Sequence, residues 1–93
     1  MTKIRFQGRE FTLDLSRSYP NGMRAVVLEG EGPWDRVKAS VAVDAPLGPG
    51  EVAIKDYFEN EGVLAALIAA GVVCAPHRTV PSGMVDVPVC YLA

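Results

Sequence analysis

Arg36-Val37-Lys38-Ala39-Ser40-Val41-Ala42-Val43 has the clearest alternation in the chain. Val37, Ala39, Val41 and Val43 point one way, and Arg36, Lys38, Ser40 and Ala42 point the other. Period two with one apolar side predicts a strand of an antiparallel sheet, one face buried and one wet. Working back toward the N-terminus, Lys3-Ile4-Arg5-Phe6 repeats that habit, and so do Phe11, Leu13 and Leu15 against Thr12 and Asp14. Gln7-Gly8-Arg9-Glu10 between them holds the glycine a tight hairpin needs. Pro20-Asn21-Gly22 is a further turn signal, and Arg24–Glu29 is a β-branched run long enough for another strand.

Forward of the opening stretch, Ala45-Pro46-Leu47-Gly48-Pro49-Gly50 cannot hold a ladder and reads as a connection. Glu51–Lys55 is a short strand leading to a helix. That helix is expected to start around Asp56 to Asn60, with Asp56 and Glu59 as a capping box and Asn60 as a rival cap. Val63, Leu64, Leu67 and Ile68 form its apolar stripe, and Gly71 is placed to stop it. Pro76–Gly83 reads as a loop with Pro81-Ser82-Gly83 as its turn. The last strand, Met84–Leu92, carries Pro88, which predicts an edge position or a bulge. The expected fold is α+β: a mostly antiparallel sheet of five or six short strands with one helix packed on one face. Ninety-three residues, 49% of them apolar, suit one domain over residues 1–93.

Val52–Leu64, together with Gly71-Val72-Val73 and Arg78-Thr79-Val80-Pro81-Ser82-Gly83, resembles small uncharacterised proteins encoded on bacterial plasmids and phages. The resemblance runs from Gly48 to Leu92 and carries no known catalytic residue. It implies an accessory role on a mobile element, in which small proteins that inhibit host machinery, such as a defence system, are one kind.

The first six residues alternate charge with apolar side chains and offer no secretory apolar segment. Gly62–His77, the longest charge-free stretch, is broken by Gly71 and Pro76 and is too short to span a bilayer. A cytoplasmic, reducing setting is therefore expected. Cys74 and Cys90 then read as small core side chains, both inert, and not as a disulfide.

Residues 1–28 carry a net +3 and residues 29–61 a net −5. Such a dipole steers a partner if the halves stand apart and cancels if they pack together. The basic side chains Lys3, Arg5, Arg9, Arg17 and Arg24 are a weak lead to nucleic acid. Phe6 and Phe11 fall on the apolar alternation, though, where they cannot stack on bases, and the net charge is −2.

Cys74-Ala75-Pro76-His77, with the distant Cys90, lacks the fourth donor of a zinc site, so no metal or cofactor is expected. Cys74 and His77, or the acids from Asp56 to Glu61, are all the chain offers an enzyme. Capping and packing account for them more simply, and the chain is read as no enzyme.

A binding role rests on two features. Trp34 sits in Gly30-Glu31-Gly32-Pro33-Trp34-Asp35 at the tip of an expected hairpin, where Glu31 and Asp35 would give it an acidic rim suited to a basic partner. Folding back over the sheet edge is its simpler fate. The helix has alanines opposite its stripe, Ala66 and Ala70 among them. That side is either covered within the fold or free to pair two copies of the chain. The reading is a non-enzymatic protein acting by protein–protein contact, its partner unnamed.

Overall fold

The computed structural model describes residues 2–93. Seven strands form two antiparallel sheets, with one short helix: an α+β fold. The first sheet has the order β1-β2-β3-β4, with β1 Lys3–Phe6, β2 Arg9–Asp14, β3 Val27–Glu29 and β4 Arg36–Lys38. The second has the order β5-β7-β6, with β5 Glu51–Ala53, β6 Arg78–Ser82 and β7 Val85–Tyr91. A 3₁₀ turn, Phe58–Asn60, precedes the helix α1, Val63–Ala69.

The inner side of the first sheet follows the alternation. Ile4 lies opposite Phe11, and Leu13, Leu28 and Val37 stand in one row. Gln7 and Gly8, both at positive φ, make the two-residue turn between β1 and β2. The opening stretch, however, is not one long strand. Ala39 and Ser40 are both buried, and both backbone amides donate to the single carbonyl of Val26, at 2.9 and 3.3 Å. Two residues opposite one is a β-bulge, which bends the chain out of the first sheet. Beyond it Ser40 pairs with Ile54, and the Val41 amide donates to the Ala53 carbonyl at 3.0 Å. The bulge thus hands the chain to the second sheet. Its buried hydroxyl is satisfied: Ser40 Oγ accepts the Val26 amide at 2.8 Å and lies 3.0 Å from the Tyr19 hydroxyl.

Because the second sheet is reached around this bend, it is covered on both faces. Val52, Ile54 and Cys90 face a larger core shared with β1–β3 and α1, whereas Ala53, Val80, Val87 and Val89 face a smaller one closed by Val43. Along β7, Val87 and Val89 are buried on one side and Cys90 on the other, while Asp86 and Tyr91 are exposed.

Three local expectations are corrected. Pro88 lies in the central strand, neither at an edge nor in a bulge. Its missing donor would have met the Ile54 carbonyl, but the chain turns there and the Asp56 amide fills that carbonyl at 3.1 Å, while Pro88 still accepts from the Ile54 amide at 3.0 Å. Residues 78–82, expected as loop, are the edge strand β6, and Pro81 falls at a position whose amide would face away from β7. Gly83 and Met84 form the turn between β6 and β7.

The helix is the third correction. It is shorter than expected because Phe58 and Gly62 adopt positive φ, which no helix interior accommodates. Asp56 still caps it, from farther upstream than a capping box: its Oδ1 accepts the amides of Gly62 at 2.9 Å and Leu64 at 3.1 Å. Glu59 pairs with Lys55 instead, and Asn60 is buried. At the other end the expectation holds. Gly71, at φ +74°, donates to Ile68 at 3.0 Å and Val72 to Leu67 at 2.9 Å, the paired bonds of a glycine-stopped helix. Val63 and Leu67 are fully buried and Leu64 packs against the core, but Ile68 is turned outward. Ala66 and Ala70 take the inward place that Ile68 leaves.

Candidate interaction surface and polar cluster

The hairpin tip between β3 and β4 is held by Asp35. Its carboxylate pairs with Arg9 on β2 and accepts the Glu31 amide at 3.0 Å, while its backbone carbonyl takes the Gly30 amide at 2.6 Å. A Cβ on Gly30 would overlap that carboxylate and stand 2.9 Å from the Asp35 backbone carbonyl, so glycine is the residue that fits. The Arg9 bond, then the Glu31 amide, hold the Asp35 carboxyl below its ordinary pKa. The loop so fixed projects Trp34 into solvent, 95% exposed. The indole does not fold back over the sheet edge.

The surroundings of Trp34 differ from the acidic rim read in the sequence. Asp35 is spent on closing the loop, and Glu31, though exposed, opens toward Lys3, Arg9 and Glu10 on the other side. Trp34 borders an open groove of about 510 Å³ whose walls include Phe6, Val37, Arg36, Lys38, Lys55 and Asn60. One wall is β4. The other is the segment 55–60, anchored by the Asn60 side-chain amide, which donates to the Lys38 carbonyl at 2.6 Å, and by the Gln7 side chain, which donates to the Glu59 carbonyl at 3.0 Å. Phe58 is also exposed, its ring edge-on to Tyr57 at 5.2 Å between centroids.

The outer face of the first sheet interleaves its charges. Arg36 bonds Glu29 at 3.1 Å, Arg17 bonds Asp14 at 3.2 Å, and Lys3 donates to Thr12 at 2.9 Å. The basic N-terminal part and the acidic middle thus partly neutralise each other. Asp14 is held down to about 2, mainly by the Ser16 hydroxyl and amide.

A second cluster lies on the far sheet. Residues 74–77 bow out between the Val73–Leu92 bridge and the Arg78–Val89 pair, which sets His77 over Tyr91, the rings stacked at 4.1 Å. Glu51 on β5 reaches across β7 to this spot. Its carboxylate meets Arg78 at 2.8 and 3.0 Å and His77 Nε2 at 2.5 Å, and accepts the Gly48 amide at 2.7 Å. Arg78 first, then Gly48, then His77 hold the Glu51 carboxyl far below the usual carboxylate range. Nothing in the sequence beyond the residue types signalled this group, because 26 residues separate Glu51 from His77.

The cysteines divide. Cys90 is buried as expected, and burial pushes its thiol up to about 11, with Cys74 adding to the shift. Cys74 is exposed, because the bow carries it out of the sheet, so it is no core residue. Among the described residues no three His, Cys, Asp or Glu side chains converge as ligands for a metal ion, and no helix is long and apolar enough to cross a membrane. No family model, no curated protein and no solved structure matches this chain.

Proposed function

We propose that this chain is a non-enzymatic accessory protein that acts by protein–protein contact through the surface around Trp34, the kind of role implied by its likeness to small proteins of plasmids and phages. The observation that carries the reading is the indole, almost wholly exposed on a loop pinned by Arg9, Gly30 and Asp35. Exposing an indole on a fixed loop leaves apolar area in water with no gain to the fold, whereas tryptophan is among the residues most enriched at binding hot spots. Its preset position also lowers the ordering cost of binding.

The test is site-specific photo-crosslinking in the native host. A photoreactive side chain at position 34 is expected to trap one discrete protein; the same group at Met84, which is equally exposed, is expected not to. Trp34→Ala should abolish co-purification of that protein while leaving the fold intact by circular dichroism. Equal trapping from both positions, or none from position 34, refutes the reading.

A further inference from the structure

We infer that the groove beside Trp34 takes an extended, acidic segment of a partner protein, added as a strand to the free edge of β4. The inference rests on the reading of Trp34 as part of a protein-binding surface and names the mode and the chemistry of the partner.

The pairing of β4 exposes the edge. Leu28 lies opposite Val37, and the hydrogen bonds from Gly30 to the Asp35 carbonyl and from Ala39 to the Val26 carbonyl flank that pair at two-residue intervals. In an antiparallel ladder the residues between, Arg36 and Lys38, turn their backbone groups to the other side. There the Lys38 carbonyl is taken by Asn60. The Lys38 amide and both backbone groups of Arg36 have no protein partner among the described residues. The groove follows because the chain beyond β5 leaves the edge at Lys55, whose amide makes the last bond across, 2.8 Å to the Ala39 carbonyl. From there the second wall diverges and leaves room beside β4.

Charge chooses the occupant. Arg36, Lys38 and Lys55 line the groove with one acid, Glu59; Lys55 is paired with Glu59 and Arg36 with Glu29 on β3, at 3.1 Å. Lys38 has no acidic partner among the described residues. A second copy of this chain fits poorly. Antiparallel self-pairing about Val37 would set Arg36 of one copy opposite Lys38 of the other, and like charges directly opposite destabilise a sheet. A strand with acidic side chains two residues apart places them against Arg36 and Lys38. Its next side chains reach Trp34 at the entrance.

The probe is a short synthetic peptide of alternating Glu and Val, fluorescently labelled and followed by anisotropy. It is expected to bind and to slow amide hydrogen exchange at Arg36 and Lys38. A peptide of alternating Lys and Val, and a Glu/Val peptide N-methylated along one backbone edge, should each bind at least about tenfold more weakly. Lys38→Pro removes the free amide together with the Lys38 charge and should weaken binding similarly. Lys38→Glu, which leaves the backbone unaltered, should narrow or reverse the preference between the two peptides and covers the case in which the proline variant misfolds. No binding of the Glu/Val peptide at millimolar concentration, or binding indifferent to N-methylation, overturns the inference. A partner trapped at position 34 and retained by Lys38→Pro and Lys38→Glu overturns the strand mode alone and leaves the protein-binding reading standing. Absence of any trapped partner refutes that reading, whatever the peptide does.

Discussion

Glu51 grips Arg78 through both carboxylate oxygens, 2.8 Å from Oε1 to Nη2 and 3.0 Å from Oε2 to Nε, although the two residues sit on opposite sides of β7 and never pair as strands. The pair clamps the second sheet across its middle strand, and His77 joins it from the bowed segment.

The clamp makes stability depend on acidity with a defined sign. A carboxylate whose folded pKa is depressed contributes stability that is fully present above its unfolded pKa, about 4.3, and is lost as pH falls toward the folded value. Urea midpoints should therefore be flat above about pH 5 and decline below about pH 4. Glu51→Gln should flatten that decline. A wild-type slope retained in the variant would assign the acid sensitivity elsewhere, with Asp14 the next candidate.

Ser40 is the polar centre of the bulge. Ser40→Ala leaves the buried Val26 amide without an acceptor and should cost about 1–3 kcal/mol in chemical denaturation. Tyr19→Phe removes only the second bond of that hydroxyl and should cost less, about 1 kcal/mol.

The orientation of α1 is testable by two substitutions one residue apart. Leu67 is fully buried, and Leu67→Ala should cost about 2–5 kcal/mol. Ile68 is 39% exposed, and Ile68→Ala should cost less, about 1 kcal/mol. Equal losses would mean that the helix is rotated from the position described.

Thiol counting separates the cysteines. In native buffer a small disulfide reagent should react rapidly with Cys74 and leave Cys90 untouched, since the latter is buried with its thiol pushed up to about 11. Full denaturant should release the second thiol. Cys74→Ser should bring the native count to zero.

The α+β class, the first hairpin, the glycine stop of α1 and the inward set Ile4, Phe6, Phe11 and Leu13 were legible because each depends on neighbours within a turn or a strand. What was not legible depends on residues far away in the chain. The alternation at 36–43 carries no mark of the bulge, since both Ala39 and Ser40 suit either face and the pairing changes from Val26 to Ile54 there. Pro88 reads as an edge residue until the Asp56 amide, 32 positions earlier, is seen to replace its donor. The exposure of Trp34 hangs on the Arg9–Asp35 contact, which no local pattern encodes. The groove is harder still to foresee, because its two walls are joined by the bond from Asn60 to the Lys38 carbonyl, 22 residues apart.

The order β5-β7-β6 also governs when this protein can take shape during translation. The ribosome makes the flanking strands first and the one between them last. Until Val85–Tyr91 has been polymerised, β6 has no strand to zip onto and β5 holds only the crossing at Ser40 and Val41. The β1–β4 meander can form from sequential neighbours, but the second layer waits, its valines uncovered in the nascent chain.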